Sequence, residues 1–205
     1  MSCPASLPEH VLSLLKTSKY LHLATCSKPE CIPSVSLMNY TYIPPHKVYN
    51  SHDETAEEYQ KEEHYIILGT QKDTAKYANI QQNPEVSVLI HDWVTAKKLS
   101  LRKNSQSNTP TPEPTGIQNA DHPSRLLNLL QELNQSELSQ MSATLRGYAE
   151  SIDPTSQESK YYEAELLKTN PDVSVYIEGK NFALVKVRLE NAKVSDSENH
   201  TRFYG

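Results

Sequence analysis

Three side chains suited to holding an anion fall within one short stretch: Thr70, Thr74 and Lys76 in GTQKDTAKYANIQQNPEVSVLI, 69–90. The first N–H groups of a helix have no intrahelical acceptor, and the helix dipole favours negative charge beside them. Two hydroxyls at a helix start, with a lysine adding a point charge one turn in, therefore suit a phosphate. A plainer account is equally open on these residues alone. Threonine is a common N-cap, and Lys76 then needs no role beyond solvation.

Other site chemistry is thinly represented. Only five glycines occur, none spaced for G-x-G-x-x-G or G-x-x-x-x-G-K-[ST], and no HExxH, GxSxG or EF-hand pattern is present. His91-Asp92 lacks an accompanying nucleophile, so His91 is expected to be structural. The three cysteines are Cys3, Cys26 and Cys31. Cys26 and Cys31 flank a turn, SKPE, and no histidine pair completes a zinc set, so both are expected to be free thiols and no metal is expected. An odd cysteine count and no basic-then-apolar leader predict a cytoplasmic protein, or one shared with the nucleus. A net charge of −5 and a pI of about 5.9 argue against a nucleic-acid partner. The apolar runs are about five residues long against the ~20 a membrane span needs.

The elements that must position the stretch are mostly strands. Ser6, Pro8 and Glu9 read as a capped helix start, with Val11, Leu12, Leu14 and Leu15 on its apolar face. YLHLATC (20–26) and IPSVSLMNYTYI (32–43) alternate as a hairpin, with Val35, Leu37 and Asn39 facing one way. The run 51–63, with six acids and one lysine, reads as a solvated loop. Strands follow at 64–70 and 86–94, around a helix at 74–82, and residues 96–103 read as an extension or a further strand. Residues 103–122, polar with clustered prolines, are predicted to be a disordered insertion, dispensable for folding, within one domain spanning 1–205. A helix is predicted at 125–134, a strand at 141–152, a capped helix from Thr155–Glu158 to Lys168, and a closing hairpin of 172–178 with 182–194. The sum is a mainly β (α+β) fold, an antiparallel barrel with peripheral helices.

The order of these pieces resembles the pyridoxamine 5′-phosphate oxidase-like family of FMN-binding split barrels. A strand ending in Thr70 leads through Thr74 and Lys76 to Asn83-Pro84-Glu85-Val86-Ser87-Val88, followed by Trp93, and RGYAES (146–151) matches the family's G-x-A strand. The resemblance covers most of 7–102 and 141–194. It implies FMN as cofactor, a flavin-dependent oxidoreductase acting on a B6 vitamer or another small substrate, and a homodimer with sites at its interface. It also implies a cofactor set of Thr70, Gln71, Thr74 and Lys76 with Ser36 and Ser142.

Departures from the pattern point to a second reading. Ala75 stands where the oxidases carry an arginine, Ser36 where they carry another, and Ser142 where they carry a flavin-contacting glutamine. The alternative is a non-catalytic protein whose weakened seat holds pyridoxal 5′-phosphate or another phosphorylated ligand. Lys72 and Arg146 are the cations available to compensate. A haem- or deazaflavin-binding protein is a third possibility on the same fold.

Overall fold

A computed structural model of the chain describes residues 7–49, 63–91, 141–177, 181–196 and 200–205. The predictions for 51–62, for the insertion 103–122 and for the helix 125–134 lie outside these residues, as does Trp93.

Eight strands form one antiparallel sheet: β1 (Tyr20–Cys26), β2 (Pro33–Asn39), β3 (Thr41–Ile43), β4 (His64–Gln71), β5 (Glu85–His91), β6 (Ser142–Ser151), β7 (Phe182–Ser195) and β8 (Thr201–Tyr204). The order is β2-β1-β5-β6-β7-β4-β3, with β8 added along β7. The sheet curls until β2 and the end of β4 face one another without ladder hydrogen bonds. That unpaired seam makes the barrel split.

Alternation explains the core. Leu21 and Leu23 of β1, Val86, Val88 and Ile90 of β5, Ala143, Leu145 and Ala149 of β6, and Val185 and Val187 of β7 all point inward and are buried. Helix α1 (Glu9–Thr17) adds Val11, Leu14 and Leu15 to the same core. A second cluster lies outside the barrel wall, where α3 (Gln157–Thr169) lays Tyr162 and Leu166 over Ile43, Ile67 and Leu184. The ladder between β6 and β7 shifts register between Arg146 and Gly147, so that Glu190 is left unpaired. Gly147 is required there: a Cβ would lie 2.6 Å from the Arg188 carbonyl oxygen and 2.7 Å from Val187 Cγ1.

Four expectations need correction. The strand expected over 32–43 is two strands on opposite arms of the sheet, β2 paired with β1 and β3 with β4. Tyr40 divides them; its buried hydroxyl donates to the Leu15 carbonyl at 2.8 Å, and Asn170 Nδ2 donates to the Tyr40 carbonyl at 2.9 Å. The closing strand expected at 172–178 is a 3₁₀ turn, Pro171–Val173, running into a helical turn, Ser174–Ile177. Val173 is buried and Ile177 packs beside it at i+4 spacing, whereas Val175 is 79% exposed; the apparent alternation was one side of a helix. The first helix starts at Pro8 with no side-chain cap, and α3 is capped by Ser156, whose Oγ accepts from the Ser159 N–H at 3.0 Å, not by Thr155. Val35 and Leu37 face one way, as expected, and that side of β2 is exposed, at 65% and 62%.

Among the described residues no helix is long and apolar enough to cross a membrane.

Candidate functional site

An open cleft of about 370 Å³ lies along the unpaired seam, lined by Tyr20, the β2 segment Leu37–Asn39, the β4 end Gly69–Gln71, Thr74 and Lys76, and by Leu166, Val173 and Phe182. Its size is that of a small-molecule pocket, ~300–1,000 Å³. Four of the expected site residues, Thr70, Gln71, Thr74 and Lys76, therefore share one wall.

Helix α2 (Ala75–Gln82) sets the geometry of that wall. Thr74 is its N-cap residue, with φ −99° and ψ 149°, but its hydroxyl makes no capping bond. Thr74 Oγ1 instead donates to the Gln71 carbonyl at 2.7 Å and lies 3.3 Å from Thr70 Oγ1. Thr70 is almost buried and Thr74 half-buried. The N-cap side chain thus makes no bond to the N–H groups of the first turn of α2, which have no intrahelical acceptor. The helix is held at its other end, where Asn79 Nδ2 donates to Thr25 Oγ1 at 3.0 Å and Asn83 Nδ2 to the Cys26 carbonyl at 3.5 Å.

The remaining expected residues are not brought into the lining. Ser36 is half-buried on β2, on the same side as the cleft-lining Met38 but one pleat further along. Ser142 pairs with His91 and Ser195 at the far end of β6, whereas Ser151 at the near end pairs with Val185, two residues from the Thr70 partner Ala183. A ten-residue strand thus separates Ser142 from the seat within this chain. Neither potential compensating cation is present. Lys72 lines a neighbouring cleft on the other side of Phe182, and Arg146 is paired with Glu85 at 3.3 Å. Ala75 is exposed. Lys76 is the basic side chain that reaches the cleft among the described residues.

Eight of the twelve lining residues escaped the sequence reading, Phe182 and Leu166 among them. Phe182 packs on Gly69 so closely that a Cβ on Gly69 would lie 2.7 Å from Phe182 Cε2 and 3.3 Å from Leu166 Cδ2. The available signal was Gly69 itself, an isolated glycine inside a strand, which marks close approach of another group. Outside the cleft, Lys186 bridges Glu158 at 2.7 Å and Glu150 at 2.9 Å under α3, with its ammonium 5.4 Å from the Tyr65 ring centroid. These pairs fasten the helix to the sheet. Among the described residues no group of three or more His, Cys, Asp or Glu side chains is placed to hold a metal.

Comparison with known proteins identifies the family. The family model described as pyridoxamine 5′-phosphate oxidase matches residues 7–194. A pyridoxamine 5′-phosphate oxidase homolog of Saccharomyces cerevisiae is 50% identical over 204 residues, covering 99% of this chain and 97% of that protein. A homolog from Schizosaccharomyces pombe is 34% identical, over 92% of this chain and 85% of its own length. Solved structures share the fold at low identity. A heme-binding protein from Mycobacterium smegmatis has a TM-score of 0.55 at 13% identity, over 97% of this chain; the chain spans 58% of that protein. The heme storage protein HutZ from Vibrio cholerae has a TM-score of 0.50 at 13% identity, over 90% of each chain. A family model matching residues 7–194, 50% identity to a named homolog over 99% of the chain, and split-barrel architecture lead to one assignment: the chain belongs to the pyridoxamine 5′-phosphate oxidase family.

Proposed function

We propose that the cleft between β2 and β4 binds FMN, with its phosphate on the start of α2, and that the protein is a flavin-dependent oxidoreductase acting on a B6 vitamer or another small substrate. One observation carries this reading. The first-turn N–H groups of α2 have no side-chain cap, while Thr70, Thr74 and Lys76 surround them on the cleft wall. In this reading the N–H groups and the Thr70 hydroxyl donate to phosphate oxygens, and Lys76 supplies the balancing charge. Phe182, Leu166 and Tyr20 provide apolar surface further along the cleft for a planar ring. A bound flavin supplies the two-electron chemistry, and the chain supplies orientation and charge.

A second copy of the chain completes the site in this proposal. Tyr20 and Leu37 line the cleft yet are 47% and 62% exposed, and Val35 continues the same apolar strip along β2. A C2 dimer covering β2 would bury this strip and narrow the cleft mouth. The more apolar strands β5 and β7 lie inside the sheet and bury Val86, Val88, Ile90, Val185 and Val187 in the chain's own core.

A specific observation favours the second reading, a non-catalytic holder of pyridoxal 5′-phosphate. Lys76 serves the cleft without a neighbouring arginine among the described residues, which reduces the charge-assisted bonds to a dianion. The absorbance spectrum of the purified protein, with and without added FMN or pyridoxal 5′-phosphate, separates the two. Saturable binding that shifts the flavin bands supports the first, and binding of pyridoxal 5′-phosphate without FMN binding supports the second. Binding of neither, or haem bands alone, contradicts both.

A further inference from the structure

The turn joining β1 to β2 carries two cysteines, Cys26 half-buried at the end of β1 and Cys31 exposed. Three hydrogen bonds hold that turn: Ser27 N–H to the Ile32 carbonyl at 3.1 Å, Ile32 N–H to Ser27 Oγ at 3.0 Å, and Cys31 N–H to the Ser27 carbonyl at 3.1 Å. They hold Cys31 in the left-handed region, at φ 56°, which a residue with a Cβ adopts uncommonly. The last of these bonds folds Cys31 back onto the residue that follows Cys26, and the Cys31 thiol donates to the Pro29 carbonyl at 3.6 Å inside the turn. Burial, and then the neighbouring Cys31, push the Cys26 pKa up. The sequence places two free thiols on either side of a turn, and the fold closes that turn with hydrogen bonds.

We propose that Cys26 and Cys31 are a redox-active dithiol that closes reversibly to an intramolecular disulfide within the turn, with a low-molecular-weight disulfide such as oxidised glutathione as the oxidant. The exposed Cys31 reacts first. Its thiolate attacks one sulfur of the glutathione disulfide, forming a mixed disulfide and releasing one glutathione thiolate. The Cys26 thiolate then attacks Cys31 Sγ, forming the Cys26–Cys31 bond and expelling the second glutathione. The two cysteines lose two electrons and two protons, and two molecules of reduced glutathione form. Exposure makes Cys31 the entry point, and the half-buried Cys26 is suited to resolve the adduct rather than form one.

The test uses the full-length chain carrying Cys3→Ser, so that the pair is observed alone. The reduced protein is treated with excess oxidised glutathione, blocked with iodoacetamide, digested with trypsin and weighed. Both cysteines fall in one peptide, Tyr20–Lys47, because Pro29 protects the Lys28 bond. The expected peptide is lighter by two hydrogens, carries no alkyl group and becomes doubly alkylated after dithiothreitol. Adding Cys31→Ser is expected to abolish this change and leave Cys26 slow to alkylate. Stable glutathione on both cysteines, or two thiols still alkylated after oxidation, would overturn the proposal. The mapping on the parent protein decides it even where the second variant folds poorly.

Discussion

Thr74 and Thr70 meet hydroxyl to hydroxyl at 3.3 Å, and Thr74 spends its own donor on the Gln71 carbonyl at 2.7 Å. A threonine at a helix start ordinarily takes up one of the helix's own N–H groups. Here it ties the end of β4 to the start of α2 and caps no helix amide. Thr74→Ala separates these roles. Loss of an ordinary cap costs about 0.5–2 kcal/mol of stability. Loss of a strap that caps nothing is expected to cost less than about 1 kcal/mol, while weakening ligand binding. Urea unfolding beside an FMN titration checks both halves.

Gly147 has no room for a side chain, with the Arg188 carbonyl 2.6 Å from where a Cβ would stand. Gly147→Ala must displace backbone at the bulge between β6 and β7, not merely a flexible side chain. The expected loss is about 1–3 kcal/mol, the range for overpacking a filled interior. It is measured as a lower urea midpoint at unchanged slope.

Alkaline pH is expected to unfold the protein through its buried tyrosines. Burial, and then the charge of Glu9, push Tyr42 up to about 12, and burial also raises Tyr40 and Tyr65. The unfolded chain releases these protons near the ordinary tyrosine value of ~10, while the folded chain keeps them. Their contribution is thus fully present below pH ~10 and is lost as pH rises through the folded values. Stability measured by urea midpoint should fall from about pH 10 upward, and Tyr42→Phe should make that fall shallower. A profile identical in Tyr42→Phe contradicts the assignment.

The proposed dimerisation through β2 rests on the exposed pair Val35 and Leu37. Val35→Asp is expected to give monomers in sedimentation equilibrium where the parent chain gives dimers, and to weaken FMN binding with them. A parent chain that sediments as a monomer at micromolar concentration removes both the interface and the completed site.

Local chemistry made much of this legible from sequence. The stretch 69–90 carries its own punctuation: alternating apolar residues, Thr74 before a helix, Asn83-Pro84 after it. The strand-helix-strand unit followed, and Thr70, Gln71, Thr74 and Lys76 line one cleft. What escaped depends on which arm of the sheet a strand joins. Tyr40 interrupts an unbroken alternation because its hydroxyl reaches Leu15 on α1, a contact no local pattern encodes. The alternation of Val35 and Leu37 shows that they share a side of β2 but not that this side meets solvent. Ser142 matched a family position by its distance from Gly147, yet the register of β6 carries it away from Thr70. The run Val173, Val175 and Ile177 suits either period, and only packing against α3 selects the helical one.

The most direct test of the phosphate seat compares two ligands differing in one group. Lys76→Ala removes the lysine that lines the cleft and, since alanine is the better helix former, leaves α2 intact. FMN binding, followed by flavin fluorescence, is expected to weaken by about 1.5–3 kcal/mol, or roughly 10- to 100-fold. Riboflavin, which lacks the phosphate, should lose far less. Equal weakening of both ligands, or a parent protein that binds neither FMN nor pyridoxal 5′-phosphate, contradicts a phosphate seat and leaves 69–90 a connector between two strands.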